Sequence, residues 1–307
     1  MRHIAEQFNR AAAKYTQAAF LQHEVGTRLD ERLDYINIQP RTILDLGCGT
    51  GKQLALLKTR YPQAEIIGID FAERMLQQAT AQNTDPLICA SAQQLPFADN
   101  SVDLIFSNLM FQWCDPLITA LQESYRVLRE DGLIMFTTFG PDTLQELRYC
   151  WALVDQHPHV NEFTDMHHVG DWLMQAHFND PVMDMEHITL TYKDVIGLMR
   201  DLQNIGATNA DPKRRKTLTG KNKLQKVAEH YQQFMLGDQR LPATYEVVYG
   251  HAWKLARPKE ESANTVYVNV DDINKSPLIK FAGILSDDES DSMLEAIKEI
   301  KHNKDNL

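Results

Sequence analysis

The chain has 307 residues, which bounds it to one large domain or one domain with an appendage. Its apolar share of 43% is that of an ordinary globular protein, and no apolar run approaches the ~20 residues of a membrane span. The net charge of -11 argues against general nucleic-acid binding while leaving room for a local basic patch.

From the N-terminus, Met1 to Tyr15 is polar and lacks the apolar core of a secretory signal. Ile4 to Leu33 reads as helical, because apolar positions recur at helical spacing and proline is absent. A helical segment ahead of the first strand is expected across the C-terminal edge of the sheet, where ligands bind. Tyr15 is either a core tyrosine or a donor to a ligand carboxylate or carbonyl. Then Ile43-Leu44-Asp45-Leu46-Gly47-Cys48-Gly49-Thr50-Gly51 joins an apolar run, an acid and a glycine-rich turn, with a helix opening at Lys52. A buried strand feeding a tight turn and a helix N-terminus is a nucleotide-binding device. The spacing is G-x-G-x-G, and no Lys-Ser/Thr pair follows, so a ligand without a pyrophosphate is expected. Glu65 to Asp70 is a second apolar strand ending in a carboxylate, about 20 residues on, where doubly wound folds bond ribose hydroxyls.

A helix over Ala72 to Ala81 and a strand over Leu87 to Ala90 follow, then the loop Ser91-Ala92-Gln93-Gln94-Leu95-Pro96-Phe97. Val102 to Asn108 is a fourth strand, ending at the rim with Asn108-Leu109-Met110-Phe111-Gln112-Trp113. Leu117 to Leu128 is an amphipathic helix stopped by Asp131-Gly132, and Leu133 to Phe139 is a fifth strand. Alternating strand and helix predict a parallel sheet with helices on both faces. Beyond it, Pro141 to Val154 reads as a helix, and His187 to Tyr192 and Ala243 to Leu255 as strands. Between those strands lies a helical insertion with the basic run Lys213-Arg214-Arg215-Lys216. After Pro258 comes an acid-rich tail, with a strand-like Val266 to Val270 and a short helix over Asp287 to Ile300. The four cysteines are widely spaced without C-x-x-C, which predicts a reducing cytoplasm and no disulfide framework. No H-E-x-x-H spacing appears, so no metal site is expected.

The two acids in register with the glycine turn resemble the class I S-adenosylmethionine-dependent methyltransferases. Ala11-Ala12-Ala13-Lys14-Tyr15, Ser107-Asn108-Leu109, Gln112-Trp113, Phe136-Thr137-Thr138-Phe139 and Asn204-Ile205-Gly206-Ala207-Thr208 narrow that resemblance to the malonyl-acyl-carrier-protein O-methyltransferase family of biotin synthesis. It runs from about Ile4 to Trp253, with the tail outside it. It implies a Rossmann-like α/β fold, a mostly parallel seven-stranded sheet with a helical insertion and a C-terminal extension. The expected organisation is a methyltransferase domain over 1–257, with an N-terminal helical lid over 1–40 and the insertion over 194–241, and an extension of unknown role over 258–307.

The resemblance implies S-adenosylmethionine as cofactor and S-adenosylhomocysteine as its product. Carried over position by position, it nominates Asp45, Gly47, Cys48, Gly49 and Gly51, then Asp70, Phe71 and Met75, then Asn108 and Leu109. In the resembled class the loop after the third strand carries an acid for the adenine amino group. Here Ser91, Ala92 and Gln93 stand there instead. The implied reaction is methylation of the free carboxylate of malonyl-acyl carrier protein, giving the ester that primes pimeloyl chain synthesis, with malonyl-coenzyme A as a possible acceptor. A carboxylate is already ionised at neutral pH, so no general base is needed. It does need an anchor, and Arg148 and Arg200 are the candidates, because a guanidinium matches a carboxylate in a fork. Tyr15 and Trp113 are candidates to line the pocket. Lys213, Arg214, Arg215 and Lys216 offer a docking face for an acidic carrier protein. The expectation is a cytoplasmic monomer with no nucleic-acid or membrane partner. Two alternatives stay open: a methyltransferase for a free small acid or quinone precursor, and a non-methylating assembly-factor-like protein acting on a protein arginine.

Overall fold

A computed structural model describes residues 2–81, 83–210, 214 and 220–256. Lys213, Arg215, Lys216 and the tail, with its expected strand and helix, lie outside the described residues.

Seven strands form one sheet: β1 (Thr42–Leu46), β2 (Glu65–Asp70), β3 (Leu87–Cys89), β4 (Val102–Ser107), β5 (Leu128–Phe139), β6 (Asn179–Tyr192) and β7 (Leu241–Lys254). Their order is β3-β2-β1-β4-β5-β7-β6. The first five run parallel, and β7 is antiparallel to both β5 and β6. Parallel strands covered on both faces read as continuous apolar runs, which is why these were visible in the sequence. Alternation then splits them between two cores. Ile43, Leu133 and Met135 join one face, and Leu44, Ile134 and Phe136 the other.

The helices are α1 (Arg2–Ala18), α2 (Phe20–Arg32), α3 (Lys52–Arg60), α4 (Glu73–Thr80), α5 (Leu117–Val127), α6 (Gln145–Ala152), α7 (Met166–Gln175), α8 (Val195–Asn204) and α9 (Lys221–Tyr231). The expected single N-terminal helix is two, parted at Ala19. α2 buries Leu21, Val25 and Leu29 and is tied to the sheet edge: Arg28 bonds Glu186 at 2.7 Å and Arg32 bonds Asp184 at 2.8 Å. α8 and α9 lie between β6 and β7 in the chain. Among the described residues, no helix is long and apolar enough to cross a membrane.

Three expectations need correction. First, α5 ends at Val127, and β5 begins at once at Leu128, running through Asp131-Gly132. The stop is a tertiary one. Lys254, at the end of β7, donates from Nζ to Tyr125 O, Leu128 O and Asn100 Oδ1, each at 2.8 Å. It thereby takes up carbonyls that the helix end leaves open. Second, the helix expected from Pro141 starts only at Gln145, because Leu144 is left-handed (φ 57) and 141–144 form a turn. Third, α7 was not foreseen. Asp165 caps it by accepting the His167 N–H, and Val169 and Leu173 bury its inner face.

Lys254→Met leaves two carbonyls and an amide oxygen without their donor. The expected cost is about 3 kcal/mol, a fall in Tm of roughly 6–10 °C. A calorimetric loss under about 1 kcal/mol would refute this role for the lysine.

Candidate active site

The C-terminal ends of β1 and β2 carry the two acids. Asp45 and Asp70 are both buried, at 1% and 7% exposure. After β1 the chain turns through Gly47 (φ 84) to Gly51 (φ 82), which opens α3. A Cβ on Gly47 would stand 2.4 Å from Met110 Cγ, so the turn requires glycine on space as well as on φ. Asp70 stitches the turn to β2: Oδ2 accepts from Gly49 N at 3.0 Å and Oδ1 from Ala72 N at 2.7 Å.

Burial pushes the Asp45 carboxyl up to about 8, and the nearby Asp70 adds to the rise. Burial also lifts Asp70 to about 6, against the pull of the Ala72, Gly49 and Phe71 N–H groups. The sign is the reverse of a salt-bridged acid. These groups favour the fold while protonated, and that contribution is lost as pH rises through about 6 and about 8.

α1 closes over the turn. Asn9 Oδ1 accepts from Arg74 N at the start of α4, and Thr16 Oγ1 donates to Thr50 Oγ1 at 3.2 Å. Phe8 meets Phe71 and Trp113 edge-on, and Tyr15 lies over Gly49. Met75 is buried with Ala12 and Ala72 beneath Phe8 and Tyr15. What stays open under this cover is about 20 Å³, lined in part by Tyr15, Asp45, Gly47, Cys48, Gly49 and Asn108. That is room for about one water, less than a nucleoside occupies.

Five more residues of this small cavity escaped the sequence, Gln22, His23, Thr50, Lys52 and Gln53, and Gly26 lies behind Gln53. Gln22 Oε1, Asp45 Oδ2 and Gln53 Nε2 are buried with no hydrogen-bond partner, and all three residues line the cavity. Buried polar atoms are nearly always paired, so such a convergence marks a place for a polar ligand. Two acceptors and one donor suit an ammonium beside a carboxylate, the amino-acid end of S-adenosylmethionine. Gly26 lets α2 come this close, since a Cβ there would stand 1.8 Å from Gln53 Nε2 and 2.8 Å from Asn108 Nδ2. A glycine inside a helix was the one local sign of it.

The loop after β3 is tied to its own turn and to the segment around α5. Ser91 Oγ accepts from Gln93 N, Gln93 Nε2 donates to Pro116 O, and Ala92 is buried in the core. Leu109 (φ 50) is buried, and its N–H donates to Thr137 Oγ1, which donates to Asn108 Oδ1. One residue on, Thr138 Oγ1 donates to Gln112 Oε1, and Gln112 Nε2 donates to Leu109 O. This ladder links the small cavity to a second, much larger one.

The large cavity measures about 1370 Å³, and Gln112, Trp113, Thr138, Arg148, Trp151 and His159 are among its walls. Arg148 donates from Nη1 to Pro141 O at 2.8 Å and from Nη2 to Thr143 O at 2.9 Å. Its Nε is buried without a partner. Arg200 is exposed on α8 and lines neither cavity, so the structure does not bring the two arginines together. Arg214 lines the large cavity, with Nη2 2.6 Å from His3 Nε2. Among the described residues, Asp142, His187 and Glu246 are the one group placed as metal ligands would be. Glu246 there accepts from Asp142 N, a bond that shapes the turn before α6.

Fold and site define a class I S-adenosylmethionine-dependent methyltransferase, and residues 44–136 match the family model described as a methyltransferase domain. The fold is that of YcgJ from Bacillus subtilis, with TM-score 0.54 at 16% identity over 75% of this chain and 98% of that one. A putative methyltransferase from Bacillus halodurans gives the same score and identity over 75% and 100%. A malonyl-acyl-carrier protein O-methyltransferase of Gallionella capsiferriformans is 46% identical over 263 residues, covering 82% of this chain and 90% of that protein. The enzyme of the same name from Legionella pneumophila is 42% identical over 279 residues, covering 89% and 97%. The chain belongs to the malonyl-acyl-carrier protein O-methyltransferase family.

Gly26→Ala separates stability from binding. The helix gains about 1 kcal/mol of propensity, while the new methyl displaces the flexible end of Gln53 and crowds Asn108 Nδ2. The expected result is a Tm within a few degrees of the parent and S-adenosylhomocysteine binding at least roughly tenfold weaker by calorimetry. Unchanged affinity would remove Gln53 from the site.

Proposed function

We propose that this protein methylates the free carboxylate of a malonyl group carried by acyl carrier protein. The observation that carries the proposal, beyond family membership, is Arg148: a cavity-wall guanidinium whose buried Nε–H has no acceptor. A malonyl carboxylate taking that N–H and a spare Nη–H would complete a fork.

When bound, S-adenosylmethionine supplies an electrophilic methyl group on its sulfonium. The chain's own residues do the rest. Gln22, Asp45 and Gln53 would hold the amino-acid end, and Asp70 would receive the ribose hydroxyls. Phe71 and Met75 would line the nucleoside, with the Ser91, Ala92 and Gln93 loop beside the adenine. Tyr15, on α1, closes the site against water. No base is required of the chain, since the acceptor is ionised at neutral pH. The work is placement, and orientation of this kind contributes on the order of 7–11 kcal/mol. A dry site favours a step in which carboxylate and sulfonium charges vanish together. The size of the large cavity supports an acceptor on a long arm, for a malonyl group alone fills a small part of 1370 Å³. Arg214, at that cavity, and its basic neighbours Lys213, Arg215 and Lys216 suit an acidic carrier.

The test is mass spectrometry after incubation with S-adenosylmethionine and malonyl-acyl carrier protein, malonyl-coenzyme A or free malonate. A one-methyl gain chiefly on the carrier protein, lost on alkaline hydrolysis, is expected. Gain on free malonate alone would favour the small-acid reading, and no gain on any acceptor would refute the proposal.

A further inference from the structure

We propose that Glu246 is a positioning residue for Arg148, and through it sets the preference for a carboxylate-bearing acyl group. This rests on the reading of Arg148 given above. Arg148 is held at the cavity wall by the turn before its helix. Its guanidinium hangs on the carbonyls of Pro141 and Thr143, so its placement is that of the turn at 140–144. That turn hangs on Glu246. The Glu246 carboxylate accepts from Asp142 N at 2.7 Å, and its carbonyl accepts from Gly140 N at 2.9 Å and from Thr143 Oγ1 at 3.1 Å. Glu246 N donates back to Thr143 Oγ1 at 3.1 Å.

The side chain's own part is the bond to Asp142 N, at the centre of the turn, while the main chain of Glu246 holds the turn's two ends. A Cβ on Gly140 would fall 2.3 Å from the Glu246 carboxyl carbon, so position 140 admits no side chain while the carboxylate stands there. Leu144 takes its left-handed φ of 57 as its N–H donates to Thr244 O at 2.6 Å. Thr244 lies two residues from Glu246, hence on the same face of β7. It donates from Oγ1 and N to the Glu146 carboxylate of α6. Alternate residues of one strand thus fix both the turn and the helix that carry Arg148. Glu246 is 5% exposed and stands apart from the large cavity's lining, so its effect on the acceptor must pass through the arginine. His187 Nε2 lies 3.5 Å from Asp142 Oδ2, beside the turn.

The test compares the full chain with Glu246→Ala, Glu246→Gln, Gly140→Ala and Arg148→Gln. Two quantities are read: affinity for S-adenosylhomocysteine, and the ratio of affinities for malonyl- and acetyl-acyl carrier protein. The acetyl form lacks the carboxylate, so the ratio isolates the anchor from carrier docking. Glu246→Ala is expected to lower the ratio about tenfold or more, with cofactor-product affinity within about twofold of the parent. Glu246→Gln keeps one acceptor for Asp142 N–H and should recover most of the ratio. Gly140→Ala keeps the glutamate but pushes its carboxylate off Asp142 N, and should lower the ratio too, which covers the case of a Glu246→Ala protein that fails to fold. An unchanged ratio in Arg148→Gln would overturn the anchor itself. A ratio lost in Arg148→Gln but kept in Gly140→Ala and in a folded Glu246→Ala would overturn the positioning role alone.

Discussion

Two carboxylates buried together at the ends of adjacent strands are the constraint on which this protein's site depends. Asp45 and Asp70 sit at the C-terminal edge of the sheet, shut off from water by α1, and burial raises both. Burying an acid costs free energy unless it is bonded or neutralised. Asp70 is bonded by two backbone N–H groups of the strand-to-helix turns. Asp45 keeps one oxygen without a partner, beside the unpaired ends of Gln22 and Gln53. The ammonium and carboxylate of an amino-acid end would together satisfy all three, the ammonium at Asp45 and Gln22 and the carboxylate at Gln53.

The rest of the fold serves two cavities from one edge. The parallel half of the sheet presents the glycine turn and its acids, and α2 holds its place through pairs with the β6 edge. The antiparallel half supports the Arg148 wall of the large cavity, because β7 grips α6 and the turn before it through Thr244 and Glu246. Between the halves, Thr137 and Thr138 point to opposite faces of β5, as strand neighbours must. Thr137 serves Asn108, and Thr138 serves Gln112. Neighbouring residues of one strand thereby support the walls of two neighbouring cavities.

The parallel strands, the glycine turn and both acids were legible in the sequence, since each is a local pattern: an apolar run, an acid, then glycine. What was not legible depends on distant partners. The end of α5 is set by Lys254, 126 residues from the carbonyl of Leu128 that it takes up, and no local motif announces it. Arg148 and Arg200 looked alike as lone arginines on helices, and only the turn that holds one of them tells them apart. Gln22 and Gln53 are ordinary helix residues until α2 and α3 are packed together. Gly26 was the exception, a glycine in a helix interior with no local reason to be there. α7 was hidden because its exposed histidines obscured a short buried stripe of Val169 and Leu173.

The central claim is that the buried acid pair awaits a cation, and proton release on binding tests it most directly. Titration calorimetry of S-adenosylmethionine at pH 7, repeated in buffers of different ionisation enthalpy, counts the protons exchanged. With Asp45 near 8 before binding and ionised beside the bound ammonium, close to one proton should leave the protein for each ligand bound. Asp45→Asn should abolish that release. Binding with no proton released by the parent protein, or the same release from Asp45→Asn, would contradict the account.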